Sequence, residues 1–594
     1  NKMALSASGL FTLLAVLLVG PIYYGGLHIY RNRNGIVVEE SSPKPDANDE
    51  ERDVIDTQHY LFALIGYAIG IGNVWRFPYV IAQNGGGAAL VAYIVSAILV
   101  ACPLFLYEMI MGQHIKLSTI RCYDKVRPRW KGLGIASGFM LFVVLCYYGM
   151  VIAYTLPYIW NSLQTPLPWI AAGAENYWLN TVLSSVDEQT ETVSGLGGVQ
   201  ANLVAALFCV WLIVFMTVGF GREVLAKITY VTVLLPVALV VIMVIRTVFL
   251  EGAGEGIRFY IGRFEIEYLW NARTWAAACG QALFSMSPGL GTVITYSSYA
   301  KPKEDVYRAC MIVSLSNCFF SIFAAFATFA LVGHMASQSG VSVEDLAKRN
   351  GSGLAFITMA EAMQYFGAAA NAMSVLFFFT LFLLGLDSAY AMEQTLTSYA
   401  LDFFAERGLP KLPRWKMSML CCTGSAFVGM IFCTRRGNEL LEVFDHFIGS
   451  IALLFVAFME ALMMNWDFTY QRMEYALAKA TYNNPDTPTG RRLGPTSLCK
   501  LDFFITVPVL AGALALYLIV LDIKDGYGTY PGFIQTWGWV VLVLIFLISF
   551  STLYKKDPTQ LAAFDMEDIK IDDSDVDNRN TGEASAPAVQ LSEV

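Results

Sequence analysis

Apolar runs of about 20 residues, the length a bilayer core demands, recur along almost the whole chain with short polar or basic stretches between them. They fall at about 61–83, 88–112, 136–162, 200–219, 224–247, 274–300, 308–334, 369–402, 415–433, 441–466, 500–521 and 533–553. Twelve such runs predict an all-α polytopic membrane protein. A further run, about Leu5 to Tyr30, precedes them. Lys2 before a short apolar core gives it a feature of signal peptides, yet no A-x-A-like cleavage site follows, and it reads as an extra N-terminal transmembrane helix.

Two of the runs carry breaks. The first contains Gly66-Tyr67-Ala68-Ile69-Gly70-Ile71-Gly72-Asn73-Val74-Trp75-Arg76, glycine-punctuated and charged. Hydrocarbon offers no water, so backbone groups freed by a break persist only where protein, ions or ligand satisfy them. The two half-helix ends then favour an anion at the amides and a cation at the carbonyls. The plainer alternative is a kinked helix whose glycines serve close packing. A second break, Phe284-Ser285-Met286-Ser287-Pro288-Gly289-Leu290-Gly291, lies five spans later. Two interrupted spans in corresponding positions point to a transporter site at a repeat interface, and five spans per repeat make the halves inverted.

The expected organisation is therefore an extra helix at 1–33, a cytoplasmic linker at 34–60, a core at 61–555 and an acidic tail at 556–594. Within the core the first repeat covers about 61–247 and the second about 274–466, with two final helices at about 500–553.

Composition fits: 56% of the 594 residues are hydrophobic and 15% charged, too apolar for a soluble domain. The loop at 113–135 holds Lys116, Arg121, Lys125, Arg127, Arg129 and Lys131, whereas 163–200 has no Lys or Arg; the first is expected inside, the second outside. Continued alternation leaves Arg435 and Arg436 outside, against the trend. It puts the C-terminus in the cytoplasm and, with the extra helix, the N-terminus outside; the plasma membrane is the expected host. Asn350-Gly351-Ser352 is a glycosylation sequon on the expected outer face. None of the eleven cysteines lies between 165 and 200, so the main outer loop has no internal disulfide. The net charge of −9 is concentrated in the tail, which runs from Asp565 through Asp577 and ends in Ser592-Glu593-Val594, a short match to the endings that PDZ-type grooves take. There is no Gly-Lys dipeptide, no H-E-x-x-H and no C-x-x-C, and the five histidines are scattered. Neither an enzyme nor a nucleic-acid partner is implied, and ions rather than ATP are the expected energy source.

GNVWRFPY at 72–79, QNGGGA at 83–88, PLFLYEMIMGQ at 103–113, Tyr147-Tyr148 and Leu384-Gly385-Leu386-Asp387-Ser388 together resemble the neurotransmitter:sodium symporters, which share the fold of the bacterial leucine transporter. The match runs from about Leu61 to Tyr554. The resemblance implies a first sodium site at Ala68, Asn73, Ser285 and Asn317. A second would use Gly66, Ile69, Leu384, Asp387 and Ser388, oxygen donors suited to a hard cation. Asp387 is a functional candidate on its own account, because a carboxylate inside a span is costly. Amine carriers of the family place aspartate where this chain has Gly70, so the missing negative charge is expected from a substrate carboxylate, held near Ile71, Gly72 and Tyr148, with Ala68 and Gly70 also at the substrate. Phe284 and Ser285 carbonyls with Ser287 would take the ammonium, and Val144, Phe284, Leu290, Ser388 and Met392 would line the side-chain pocket. Leu290 stands where the family often has Phe. Chloride would sit among Tyr93, Gln281, Ser285, Asn317 and Ser321. Arg76 and Asp445 match the outer gate. Asp402 matches the inner acid, with Arg52 one residue out of register as its basic partner.

The implied function is symport of a neutral amino acid with two sodium ions and one chloride by alternating access. Rivals are a carrier of another carboxylate-bearing osmolyte, such as a β- or γ-amino acid, and a non-transporting membrane scaffold or sensor.

Overall fold

In lipid a spanning segment satisfies its backbone by winding into a helix, and the computed structural model is built of helices with no β-strand among the described residues. It describes residues 57–555 except 186–194, 220–221, 302–303, 349–353, 411 and 469–504. The leading apolar run, Arg52, Asn350 and the acidic tail with its last three residues lie outside the described residues.

In chain order the main helices are α1 (Thr57–Ala68), α2 (Ile71–Gln83), α3 (Gly87–Ile115), α4 (Pro128–Asn161), α5 (Ala201–Gly219), α6 (Arg222–Val248), α7 (Ala272–Met286) and α8 (Thr292–Ser297). Then come α9 (Val306–Ser339), α10 (Ala370–Glu406), α11 (Arg414–Cys433), α12 (Gly437–Phe468), α13 (Val507–Asp525) and α14 (Gly532–Phe550). Among the described residues ten helices are individually long and apolar enough to cross a bilayer, or eleven when α1 and α2, bent by 46° at their junction, are taken together. The run at 274–300 is divided into α7 and α8. This is an integral, multi-pass membrane protein. Outer faces carry exposed Leu212, Phe319 and Leu547, as lipid contact requires.

Local chemistry sets the helix ends. Asn271 caps α7 by accepting from the Arg273 amide at 3.0 Å, Asp305 caps α9 by accepting from the Arg308 amide at 2.9 Å, and Gly340 ends α9 in the left-handed region. Helices α6, α9 and α10 pack around α1, while α8 packs on α3. The two broken elements therefore lie inside the bundle. At the face expected inside, the basic 127–130 segment closes on buried Asp467: Arg127 Nε lies 2.9 Å from Oδ1, and Arg129 Nε 3.0 Å and Trp130 Nε1 2.5 Å from Oδ2. The charges that ran against the topology trend are also absorbed locally. Arg435 Nε donates to the Ser184 carbonyl at 3.0 Å, and Arg436 Nη1 reaches Glu439 at 3.3 Å.

Candidate functional site

The first break is a single extended residue. Gly70 has φ −112° and ψ −177°, and its amide turns to the Ala68 carbonyl (3.2 Å) and to Asn73 Oδ1 (3.1 Å). The next amide, Ile71, points at the Tyr148 hydroxyl at 3.4 Å. The Gly66 and Tyr67 carbonyls thereby lose their regular donors one turn on. Tyr67 O takes the Ser388 hydroxyl instead, at 3.1 Å. A Cβ at Gly70 would meet Ser388 Oγ at 2.5 Å and the Tyr148 hydroxyl at 3.0 Å, so this approach requires glycine.

The second break runs from Ser287 to Gly291. Ser287, Gly289 and Gly291 all have positive φ, which makes the two glycines necessary there. Three helical neighbours hold the unwound backbone. Glu108 on α3 accepts from the Gly289 amide at 2.6 Å, Thr119 donates to the Gly291 carbonyl at 2.6 Å, and Tyr399 on α10 donates to the Leu290 carbonyl at 3.4 Å. Ser287 turns its hydroxyl onto the Phe284 carbonyl at 2.7 Å, so these two groups, both expected to meet an ammonium, meet each other.

Between the breaks lies a cavity of about 30 Å³. Its walls include Ala68, Gly70, Gly72, Val144, Tyr148, Phe284, Ser285, Ser287, Leu290, Ser388 and Met392, together with Tyr67 and Asn73, and none of them is charged. Of the residues expected to bind substrate, Ile71 alone is not in this wall; its amide donates to the hydroxyl of the lining residue Tyr148.

Members of both expected ion sets lie close together, Asn73, Ser285 and Asn317 in one cluster and Gly66 with Asp387 in another. Asn73 Nδ2 donates to Asn317 Oδ1 (2.6 Å), Ser321 Oγ (2.7 Å) and Ser285 Oγ (3.3 Å), and Ser285 Oγ donates to Asn317 Oδ1 at 3.0 Å. Asn317 Nδ2 and Gln281 Nε2 are buried amide donors without a hydrogen-bond partner, and donors of this kind suit an anion. Tyr93, expected with them, has its hydroxyl 3.8 Å from Cys318 Sγ. On the other side of α1, Asp387 is 5% exposed; its Oδ1 accepts from Thr232 on α6, while its Oδ2 has no hydrogen-bond partner. A Cβ at Gly66 would stand 3.3 Å from that Oδ2. A buried carboxylate oxygen without a hydrogen-bond partner, beside the break at Gly66, fits a hard cation.

Family comparison decides what kind of protein this is. The model of the sodium:neurotransmitter symporter family matches residues 53–175 and 170–557. The chain belongs to the sodium:neurotransmitter symporter family. It is a transporter, not an enzyme. Similar proteins include the sodium- and chloride-dependent neutral and basic amino acid transporter B(0+) of Mus musculus, 30% identical over 84% of each chain. Others are the sodium- and chloride-dependent GABA transporter 2 of Rattus norvegicus, 28% identical over 84% of this chain and 85% of the other, and the corresponding taurine transporter of Canis lupus familiaris, 28% identical over 84% and 83%.

In this symporter Arg76 and Asp445 are in contact above the cavity. Arg76 Nε lies 2.9 Å from Asp445 Oδ2, Nη1 3.0 Å from Gln281 Oε1 and Nη2 3.2 Å from Ser450 Oγ, with the guanidinium 4.6 Å over the Phe284 ring. Tyr147 adds a bond to Asp445 at 3.2 Å. Above this layer a second cavity of about 380 Å³ opens, lined by Tyr79, Arg76, Asp445, His446 and Asp522 among others. At the opposite end Thr57 donates to Glu304 at 2.6 Å, and Tyr60 meets Ser297 at 3.0 Å. Asp402 accepts from Ser118 and lies 3.9 Å from Arg121 Nη1, a basic neighbour that sequence reading did not identify.

Sequence reasoning also passed over Glu108, Thr119 and Tyr399, which hold the second break, and Thr232. An ionisable residue inside a span was a signal for Glu108. A threonine in an apolar run gives none. For the upper barrier, Arg76→Ala is expected to leave sodium-supported ligand binding within a few-fold of wild type and to lower uptake about tenfold, the equivalent of ~1.4 kcal/mol of lost charge-assisted pairing. Equal uptake in the variant would remove the gating role.

Proposed function

We propose that this protein is a plasma-membrane symporter that carries a neutral α-amino acid inward with two sodium ions and one chloride, by alternating access. The observation that carries the reading is the uncharged cavity at the Gly70 break, where the Ile71 amide and the Tyr148 hydroxyl sit 3.4 Å apart. A half-helix N-terminus and a sodium beside it attract negative charge, and no residue lining the cavity supplies it. A substrate carboxylate fills that role and becomes part of the first ion's shell. The ammonium faces Ser287 and the carbonyls of Phe284 and Ser285, and the apolar Val144, Leu290 and Met392 receive a side chain that needs no counter-ion.

The amide nitrogens of Gln281 and Asn317, which have no hydrogen-bond partner, with Ser321 and Tyr93, are the reason for including chloride. Spans α1 to α6 and α7 to α12 form two five-helix halves, each opened by a broken helix, and their inverted relation supplies the rocking that exchanges the two closed ends. Two sodium ions, one chloride and a zwitterion move one net positive charge, worth about 2.3 kcal/mol per 100 mV. The kinship to GABA and taurine transporters supports a second reading, a β- or γ-amino acid as cargo, since Gly70 asks for an acid group and not for its distance from the amine.

The test is uptake into proteoliposomes under an inward sodium gradient, with competition by α-, β- and γ-amino acids and with chloride replaced by gluconate. Inhibition by neutral α-amino acids and a fall in uptake without chloride are expected. Competition by γ-amino acids alone moves the assignment to the second reading. Absence of sodium-stimulated binding of every amino acid overturns both and leaves a scaffold.

A further inference from the structure

We propose that Thr232 is a positioning residue for the second sodium ion, setting that ion's affinity by holding the Asp387 carboxylate. This rests on the proposed assignment of Asp387 to that ion. Thr232 lies on α6, a helix that none of the expected ligands of either sodium occupies, and it is 4% exposed. Its hydroxyl donates to Asp387 Oδ1. The other carboxylate oxygen, Oδ2, is buried without a hydrogen-bond partner and stands against Gly66 at the break in α1. The adjacent residue closes the same space: a Cβ at Gly66 would lie 2.8 Å from Val233 Cγ2. Helix α6 thus walls the site opposite α10, and Thr232 is its polar contribution.

The physical reason is division of labour between the two oxygens. An aspartate side chain has two torsions, and a carboxylate with no anchor samples orientations that face away from the ion. A hydroxyl bonded to one oxygen holds the carboxylate's orientation and leaves the second oxygen, beside Gly66 at the break, with its lone pairs for the ion. Threonine suits the position because its β-branch stiffens χ1 in a helix, so the hydroxyl is itself held. Without it, each binding event must first reorder the carboxylate, and one oxygen of a buried acid loses its donor.

The test uses the full-length purified protein and reads sodium directly, as the concentration giving half-maximal thermal protection and as bound ²²Na⁺. Thr232→Val keeps the branch and the volume and removes the hydroxyl; it is expected to raise half-saturation for sodium about tenfold, in the range typical of lost outer-shell partners. Chloride half-saturation and substrate affinity at saturating sodium stay within twofold. Thr232→Ser, which restores the hydroxyl, returns sodium affinity to within about threefold of wild type. Should the valine protein fail to fold, Thr232→Cys, a weaker donor of similar size, is expected to fall between serine and valine. Wild-type sodium affinity in the valine or cysteine protein overturns the proposal, as does equal loss in the serine protein, which would mark a packing role. The companion Asp387→Asn separates the two levels. If it leaves sodium binding unchanged, the assignment of Asp387 fails; if it abolishes the second ion while Thr232→Val does nothing, Asp387 stands and Thr232 falls.

Discussion

Gly70→Asp is expected to eliminate uptake of the amino acid that the wild-type protein carries, by a factor of about 100 or more. Two effects act in the same direction. A Cβ at this position would lie 2.5 Å from Ser388 Oγ and 3.0 Å from the Tyr148 hydroxyl, so any side chain pushes on both walls of the cavity. An aspartate also brings a fixed negative charge to the place assigned to the substrate's acid group, and two carboxylates sharing one small, dry site repel by several kcal/mol. Gly70→Ala isolates the first effect and is expected to be less damaging, about tenfold. Radiolabelled uptake together with sodium-dependent thermal protection checks the pair. If the aspartate protein transports the same amino acid at the wild-type rate, the carboxylate seat is misplaced. Protection by sodium alone is expected to survive in Gly70→Asp, because the new carboxylate supplies the anion that cargo otherwise brings.

Asp387→Asn is expected to abolish sodium-driven uptake and to remove most of the sodium-dependent thermal protection while leaving a folded protein. Among the described residues this carboxylate has a hydroxyl partner and no basic one. An ionised acid so placed destabilises the ion-free protein, because its desolvation is not offset by a counter-charge. Neutral asparagine relieves that cost, so the melting temperature without sodium is expected to equal or exceed that of wild type. The rise on adding sodium is expected to shrink, since stabilisation by a ligand follows its affinity for the folded state. A variant that keeps its full sodium-dependent rise would exclude Asp387 from the ion's shell.

The breaks were legible because they rest on local chemistry. Glycine at 66, 70 and 72, and the Ser-Pro-Gly-Leu-Gly run at 287–291, interrupt apolar runs that otherwise read as continuous helix, and the structure breaks both spans within these segments. The residues gathered around the cavity came from the family resemblance, and 11 of the 12 expected to bind substrate line it. What the chain did not disclose are pairings across long separations. Thr232 and Asp387 are 155 positions apart, and Ser118 and Asp402 are 284 apart. No periodicity links such residues; packing on α10 does, by α6 in the first pair and by the short helix Thr119–Val126 in the second. Arg435 and Arg436 misled for a related reason. Counting charges per loop takes every arginine as free to orient the chain, whereas here loop carbonyls and a glutamate occupy them.

The unwound stretch at 287–291 is fastened by side chains from Glu108, Thr119 and Tyr399, all of them resident in the protein. Its shape therefore does not wait for cargo. On the proposed function, an arriving molecule meets a segment already unwound and spends little of its binding energy on melting a helix, which leaves that energy for the closing motion of transport.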